Sequence, residues 1–181
     1  MRISLISIGL LVSVFTLAQD KTFTLRSNDL GGQATQDQVF NGSGCTGKNI
    51  SPHLIWENAP AGTKSFAITM YDPDAPTGSG WWHWVVVDLP KDITSVSSNS
   101  GNLKNGAMPA GARQMRTDYG TPGYGGPCPP EGDRPHCYII TVFALPTEKV
   151  DVTDDASPAL VGFNLNASAL AKASLVFYHS R

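Results

Sequence analysis

An antiparallel β-sandwich with one or two short helices near its C-terminus and long Gly/Pro-rich loops is the fold this sequence predicts, on three observations. Short segments rich in β-branched and aromatic residues recur: "KTFTLRS", "KSFAITMY", "HWVVVDL", "HCYIITVFAL" and "ASLVFYHS". Several are apolar on both faces, as strands are where sheets pack against each other. The chain of 181 residues holds 18 glycines and 13 prolines, and nowhere does a strand alternate with a long helix as a parallel α/β fold requires.

The elements follow in order. At the N-terminus "MRISLISIGLLVSVFTLAQDKTF" places Arg2 before an apolar run from Ile3 to Leu17, then Ala18-Gln19, the layout of a secretory leader. The run is shorter than the roughly 20 apolar residues of a membrane span. Cleavage near Ala18 is expected, leaving residues 19–181 as one domain. Removing residues 1–18 takes away only Arg2, so 13 basic against 15 acidic residues (net −2) becomes 12 against 15, or −3. No basic stripe forms, which excludes nucleic acid as a partner. Export favours oxidised thiols. Cys45 in "NGSGCTGKNISP" and Cys128 in "GGPCPP" lie in loop contexts and are the expected disulfide pair, while Cys137 interrupts a strand and stays a free thiol.

The strand "KSFAITMY" puts Ile68, Met70 and Asp72 on one face. Pro73, Ala75-Pro76 and Thr77-Gly78 then turn the chain, so Asp72 and Asp74 sit at a strand end. His83 opens the next strand, with Val85 and Val87 expected behind it on the same face and Asp88 on the other. Between Asn99 and Pro135 lie eight of the glycines and six of the prolines with hardly any periodic apolar pattern. Such a length without secondary structure is characteristic of functional loops, and its proline-stiffened second half reads as a pocket wall. His136 and Tyr138 share one face of the strand that follows. Ser157-Pro158 caps a helical piece stopped at Gly162, and Asn166 caps a second, "ASALAKA".

Carboxylates, imidazoles and tryptophans gathered at two strand ends can serve a binding pocket, a metal site or acid–base catalysis. "YDPDAPTGSGWWHWVVV" and "GYGGPCPPEGDRPHCYIITVFAL", together with "NISPHLIWENAPAGTKSFAITM" and "PALVGFN", resemble the signature segments of the phosphatidylethanolamine-binding protein family, specifically its bacterial Raf-kinase-inhibitor-like branch (YbhB/YbcL type). The resemblance spans nearly all of the mature chain. It implies a single-domain antiparallel sandwich with a pocket at one end for phosphate, phosphorylated headgroups or similar anions. It carries the pocket onto Asp72, Asp74, Trp81, His83, Pro129, His136 and Tyr138, with no metal or cofactor. Trp82 and Trp84 are left to packing. Cys137 stands where the family often has arginine or histidine. Family members are linked to lipid-headgroup binding and to kinase or protease inhibition, so a protein target is a further expected partner.

Catalysis is the rival reading. An Asp/His hydrolase acting on a phosphorylated or glycosidic substrate would use the same groups as acid and base, but no G-x-S-x-G turn is present and Cys128 is assigned to a disulfide. Binding is therefore expected over turnover. Two aspartates repel an anion, so donors are needed, and the candidates are His83, His136 and the Tyr138 hydroxyl: the main ones are expected to be the imidazolium N–H groups, held charged by the aspartates, with affinity falling as pH rises. Arg134 is expected to be solvated.

Overall fold

The computed structural model describes residues 21–181; the leader and its cleavage position lie outside the described residues. Five antiparallel strands form the main sheet, in the order β10-β9-β5-β6-β8: β5 (Ser65–Asp72), β6 (Trp81–Pro90), β8 (Arg113–Gln114), β9 (His136–Leu145) and β10 (Ala171–His179). A smaller sheet of β1 (Thr24–Arg26), β4 (Leu54–Glu57) and β7 (Ser95–Val96) faces it, and β2 (Asn41–Gly42) pairs with β3 (Cys45–Thr46) as a short ribbon.

The long strands are apolar on both sides because both faces are covered. One face packs Ile68, Met70, Trp84, Val86, Tyr138, Ile140 and Phe177 against Leu25, Leu54 and Trp56 of the small sheet. The other packs Ala67, Val85, Val87, Phe143 and Leu145 against Val161 and Leu165 of α1 (Pro158–Ser168), the single helix among the described residues. Every one of these side chains on the five-stranded sheet is at most 4% exposed. Each large aliphatic or aromatic residue so buried stabilises the fold by about 1.5–3 kcal/mol.

Two expectations are corrected here. The C-terminal helical pieces are one continuous helix, capped by Ser157 with Pro158 in its first turn, and "ASALAKA" is the helix end running into β10. Gly162 does not stop the helix. It is buried at its middle because a Cβ there would come within 2.7 Å of the Trp82 ring. His83 does not share a face with Val85 and Val87. Met70 pairs with Trp84 and Tyr71 with Trp82, so His83 is the extra residue of a β-bulge. The bulge re-aims its ring towards Tyr138, on the face opposite the valines.

Candidate functional site

At one end of the sheet, where β5 stops and β6 and β9 begin, lies a cavity of about 320 Å³. Its floor is made by Asp72, His83, His136 and Tyr138, all buried, and its walls by Trp81, Tyr119, Cys128 and Pro129. Ser43, Pro76, Thr77, Pro130 and Arg181 form an exposed rim. Six of the seven residues singled out from sequence therefore line one cavity.

Asp74 does not line it. Its Oδ2 accepts from the Cys137 backbone N–H at 2.8 Å and its Oδ1 from the Arg134 guanidinium at 2.6 Å, so it ties the turn after β5 to the start of β9. These bonds, the Cys137 amide first, hold its carboxyl below the usual range. Arg134 is thereby paired, although its side chain stays largely exposed.

Asp72 organises the floor. Its Oδ1 accepts from the backbone N–H groups of Asp74 (2.8 Å) and Ala75 (3.1 Å), fixing the turn, and its Oδ2 accepts from His136 Nδ1 at 2.8 Å. His136 Nε2 in turn donates to Asp133 Oδ2 at 3.2 Å. Burial alone would lower the His136 pKa, but the hydrogen bonds and charges of Asp72 and Asp133 together outweigh it and raise the pKa. Both N–H groups are thus committed to carboxylates.

The other imidazole behaves oppositely. His83 Nδ1 donates to the Gly125 carbonyl at 2.8 Å, which leaves Nε2 with a lone pair and no partner among the described residues. Burial lowers its pKa to about 4, outweighing the Gly125 hydrogen bond and the Asp72 charge. The expectation of two imidazolium donors is therefore corrected. His83 is neutral at physiological pH and offers an acceptor, while His136 is the charged ring with its protons already used.

Tyr138 supplies a donor that no well-formed hydrogen bond satisfies among the described residues, with the Asp72 carboxylate close enough to act on it. Its hydroxyl is buried without a hydrogen-bond partner among the described residues, although the residue lines the cavity. Burial first, then the charge of Asp72, raises its pKa, so it stays protonated. The ring is locked by edge contact with His83 (5.2 Å between centroids) and stacking on Phe177 (5.3 Å).

Sequence reasoning missed Tyr119 and Arg181. Tyr119 meets Trp81 and His83 edge-on, stacks on Phe40, and its hydroxyl donates to the Gly126 carbonyl. The Gly/Pro-rich loop was the signal for it. Arg181 is carried by β10, whose register sets His179 opposite His136, and no local motif marks it. The disulfide joins Cys45 to Cys128, and Cys137 is a free, half-buried thiol. Among the described residues no group of three His, Cys, Asp or Glu side chains is placed to hold a metal ion.

Comparison with known proteins gives a consistent result. The family model for phosphatidylethanolamine-binding protein matches residues 31–180. The UPF0098 protein YbcL of Escherichia coli strain K12 is 51% identical over 160 residues, covering 87% of each chain. YbhB of the same strain is 55% identical over 153 residues, covering 83% of this chain and 96% of that one. A crystal structure of E. coli YbcL, described as a new member of the mammalian PEBP family, matches with a TM-score of 0.85 at 49% identity over 88% of this chain and 98% of that one.

Proposed function

Because the chain belongs to the phosphatidylethanolamine-binding protein family, we propose that its cavity binds a small oxyanion, the singly protonated phosphate of a phosphomonoester, and that the protein acts by binding and not by turnover. The observation that carries this reading is the Tyr138 hydroxyl, a buried donor without a hydrogen-bond partner among the described residues, on a residue that lines a cavity about 320 Å³ in volume. An unmade buried hydrogen bond costs about 1–3 kcal/mol, a cost that a ligand oxygen would relieve. Neutral His83 Nε2 opposite it would accept a proton, which a P–OH group supplies and a fully ionised phosphate does not. Ser43, Thr77 and the Cys45–Cys128 disulfide line the site, but none is hydrogen-bonded to His83 or His136 as an activated nucleophile would be.

Export completes the proposal. The leader-like residues 1–18 and the disulfide both fit an extracytoplasmic location. The test of the binding reading is calorimetric titration of methyl phosphate into the protein and into Tyr138→Phe near pH ~5.5, below the second phosphate ionisation at about 6. Saturable binding that falls more than tenfold in the variant is expected, since a hydrogen bond to a charged group contributes about 1.5–3 kcal/mol. Equal affinity in the two proteins would remove the reading, and a saturable hydrolysis of phosphomonoesters would replace it by the catalytic one.

A further inference from the structure

The rim of the cavity carries one cation whose seat is built by three separate features. Arg181 Nη1 donates to the Ser43 carbonyl at 3.3 Å and lies 3.5 Å from Cys45 Sγ and 3.8 Å from Cys128 Sγ. Between those two rim contacts stands Gly44, at φ +85°, where a Cβ would come within 2.8 Å of Nη1. The Arg181 backbone is held as well, its carbonyl accepting from Gly132 N–H at 3.2 Å. The β2–β3 turn and the disulfide thus lie in contact with the guanidinium.

What the guanidinium does not touch matters equally. No carboxylate pairs with it among the described residues, whereas Arg134, which also lies beside the site, is ion-paired to Asp74. Its Nε and Nη2 donate to nothing among the described residues and are free for a ligand. An unpaired cation fixed at the mouth of a pocket acts on whatever part of the ligand leaves the pocket.

We infer that Arg181 sets the ligand class of this pocket: a phosphomonoester whose outer end is anionic is favoured, and one whose outer end is an ammonium group is disfavoured. This rests on the anion-binding reading of the cavity. With the phosphate against Tyr138 and His83 on the buried floor, the substituent must pass the exposed rim, where Arg181 attracts a carboxylate or second phosphate and repels an amine. Exchanging attraction for repulsion at contact distance in water corresponds to about thirtyfold in affinity, which salt screening reduces to about tenfold.

The experiment compares methyl phosphate, phosphoglycolate and phosphoethanolamine by calorimetry on the full chain, on R181Q and on R181E. In the unmodified protein phosphoglycolate is expected to bind about tenfold more tightly than phosphoethanolamine. In R181Q the two should come within about twofold, and in R181E the order should invert, with methyl phosphate, which has no charged outer end, weakened less than phosphoglycolate in each variant. Arg181 is exposed, so unchanged thermal melting of the variants will show that they fold. A preference that survives R181Q, or an unmodified protein that binds phosphoethanolamine as tightly as phosphoglycolate, would overturn the role of Arg181 alone. Failure of all three ligands to bind the unmodified protein would remove the anion pocket and this inference with it.

Discussion

Tyr138 sets stability against binding at the scale of one atom. Its ring is part of the core, yet its hydroxyl is buried without a partner. Tyr138→Phe should therefore raise unfolding free energy by about 1 kcal/mol while it weakens ligand, since removing an unsatisfied buried hydroxyl lifts a cost. Chemical denaturation checks this, and a destabilised variant would show that the hydroxyl is already satisfied. The two imidazoles make a second residue-scale prediction. Proton NMR should find His83 titrating near pH 4 and His136 above the ordinary value of about 6.5. The linkage signs differ. His83 is depressed in the folded state, so as pH falls from about 6.5 towards 4 the unfolded chain takes the proton first and stability drops, by about 3 kcal/mol for a shift of this size. His136 is raised, so its contribution is intact below about 6.5 and is lost as pH climbs through its folded value. Stability measured across this range should therefore decline on both sides, and Asp72→Asn should lower the His136 titration.

Strand irregularities, more than strands, build the working parts at the scale of elements. One bulge on β6 turns His83 into the pocket; the other, between the Phe66 and Ile68 pairings, places Asp88 at φ +62°. Asp88, expected to lie apart from the site, is buried at the strand's far end. There it accepts from Arg113 Nε at 2.7 Å and from the Val150 N–H at 2.8 Å, joining β6, β8 and the chain before α1. Asp88→Ala should cost about 1–3 kcal/mol in urea unfolding, because the Val150 amide and Arg113 Nε lose their acceptor while the rest of the guanidinium keeps Asp154 and the Val150 and Val152 carbonyls. Gly162→Ala should also destabilise, by about 1 kcal/mol, although alanine is the better helix former, because the added methyl meets the Trp82 ring. These cases mark what was legible in the sequence. The long strands were, since β-branched runs buried on both faces have a local signature, as was the turn that presents Asp72. The bulges were not, because one extra residue in a pairing depends on the partner strand, and with them went the facing of His83. Gly162 looked like a helix stop because its actual constraint, an indole from β6, is remote in sequence. Asp74 resembled Asp72 in spacing, yet only Asp72 has its side chain directed to the cavity.

The whole molecule closes the site by linking parts far apart in the chain. The disulfide spans 83 residues between the β2–β3 ribbon and the proline-rich wall, and β10 brings Arg181 to the same mouth. Breaking that bridge should cost roughly 2–4 kcal/mol, and thiol labelling of denatured, unreduced protein should modify Cys137 alone. N-terminal sequencing of exported protein should begin at or near Gln19. The proposed site thus combines one donor hydroxyl, one neutral imidazole acceptor and one fixed carboxylate, an arrangement suited to a monoanion that keeps a proton. Methyl phosphate below its second ionisation at about pH 6 and methyl sulfate are matched in shape and charge, and differ in that the phosphate has a proton to give. Titrating both near pH ~5.5 and methyl phosphate again near pH ~8, either side of that ionisation, is the most direct measurement. Methyl phosphate is expected to bind at the lower pH at least tenfold more tightly than methyl sulfate and to weaken at the higher, as a hydrogen bond to His83 is lost; sulfate binding as tightly as phosphate, or phosphate binding that strengthens with pH, would contradict recognition of a protonated phosphate.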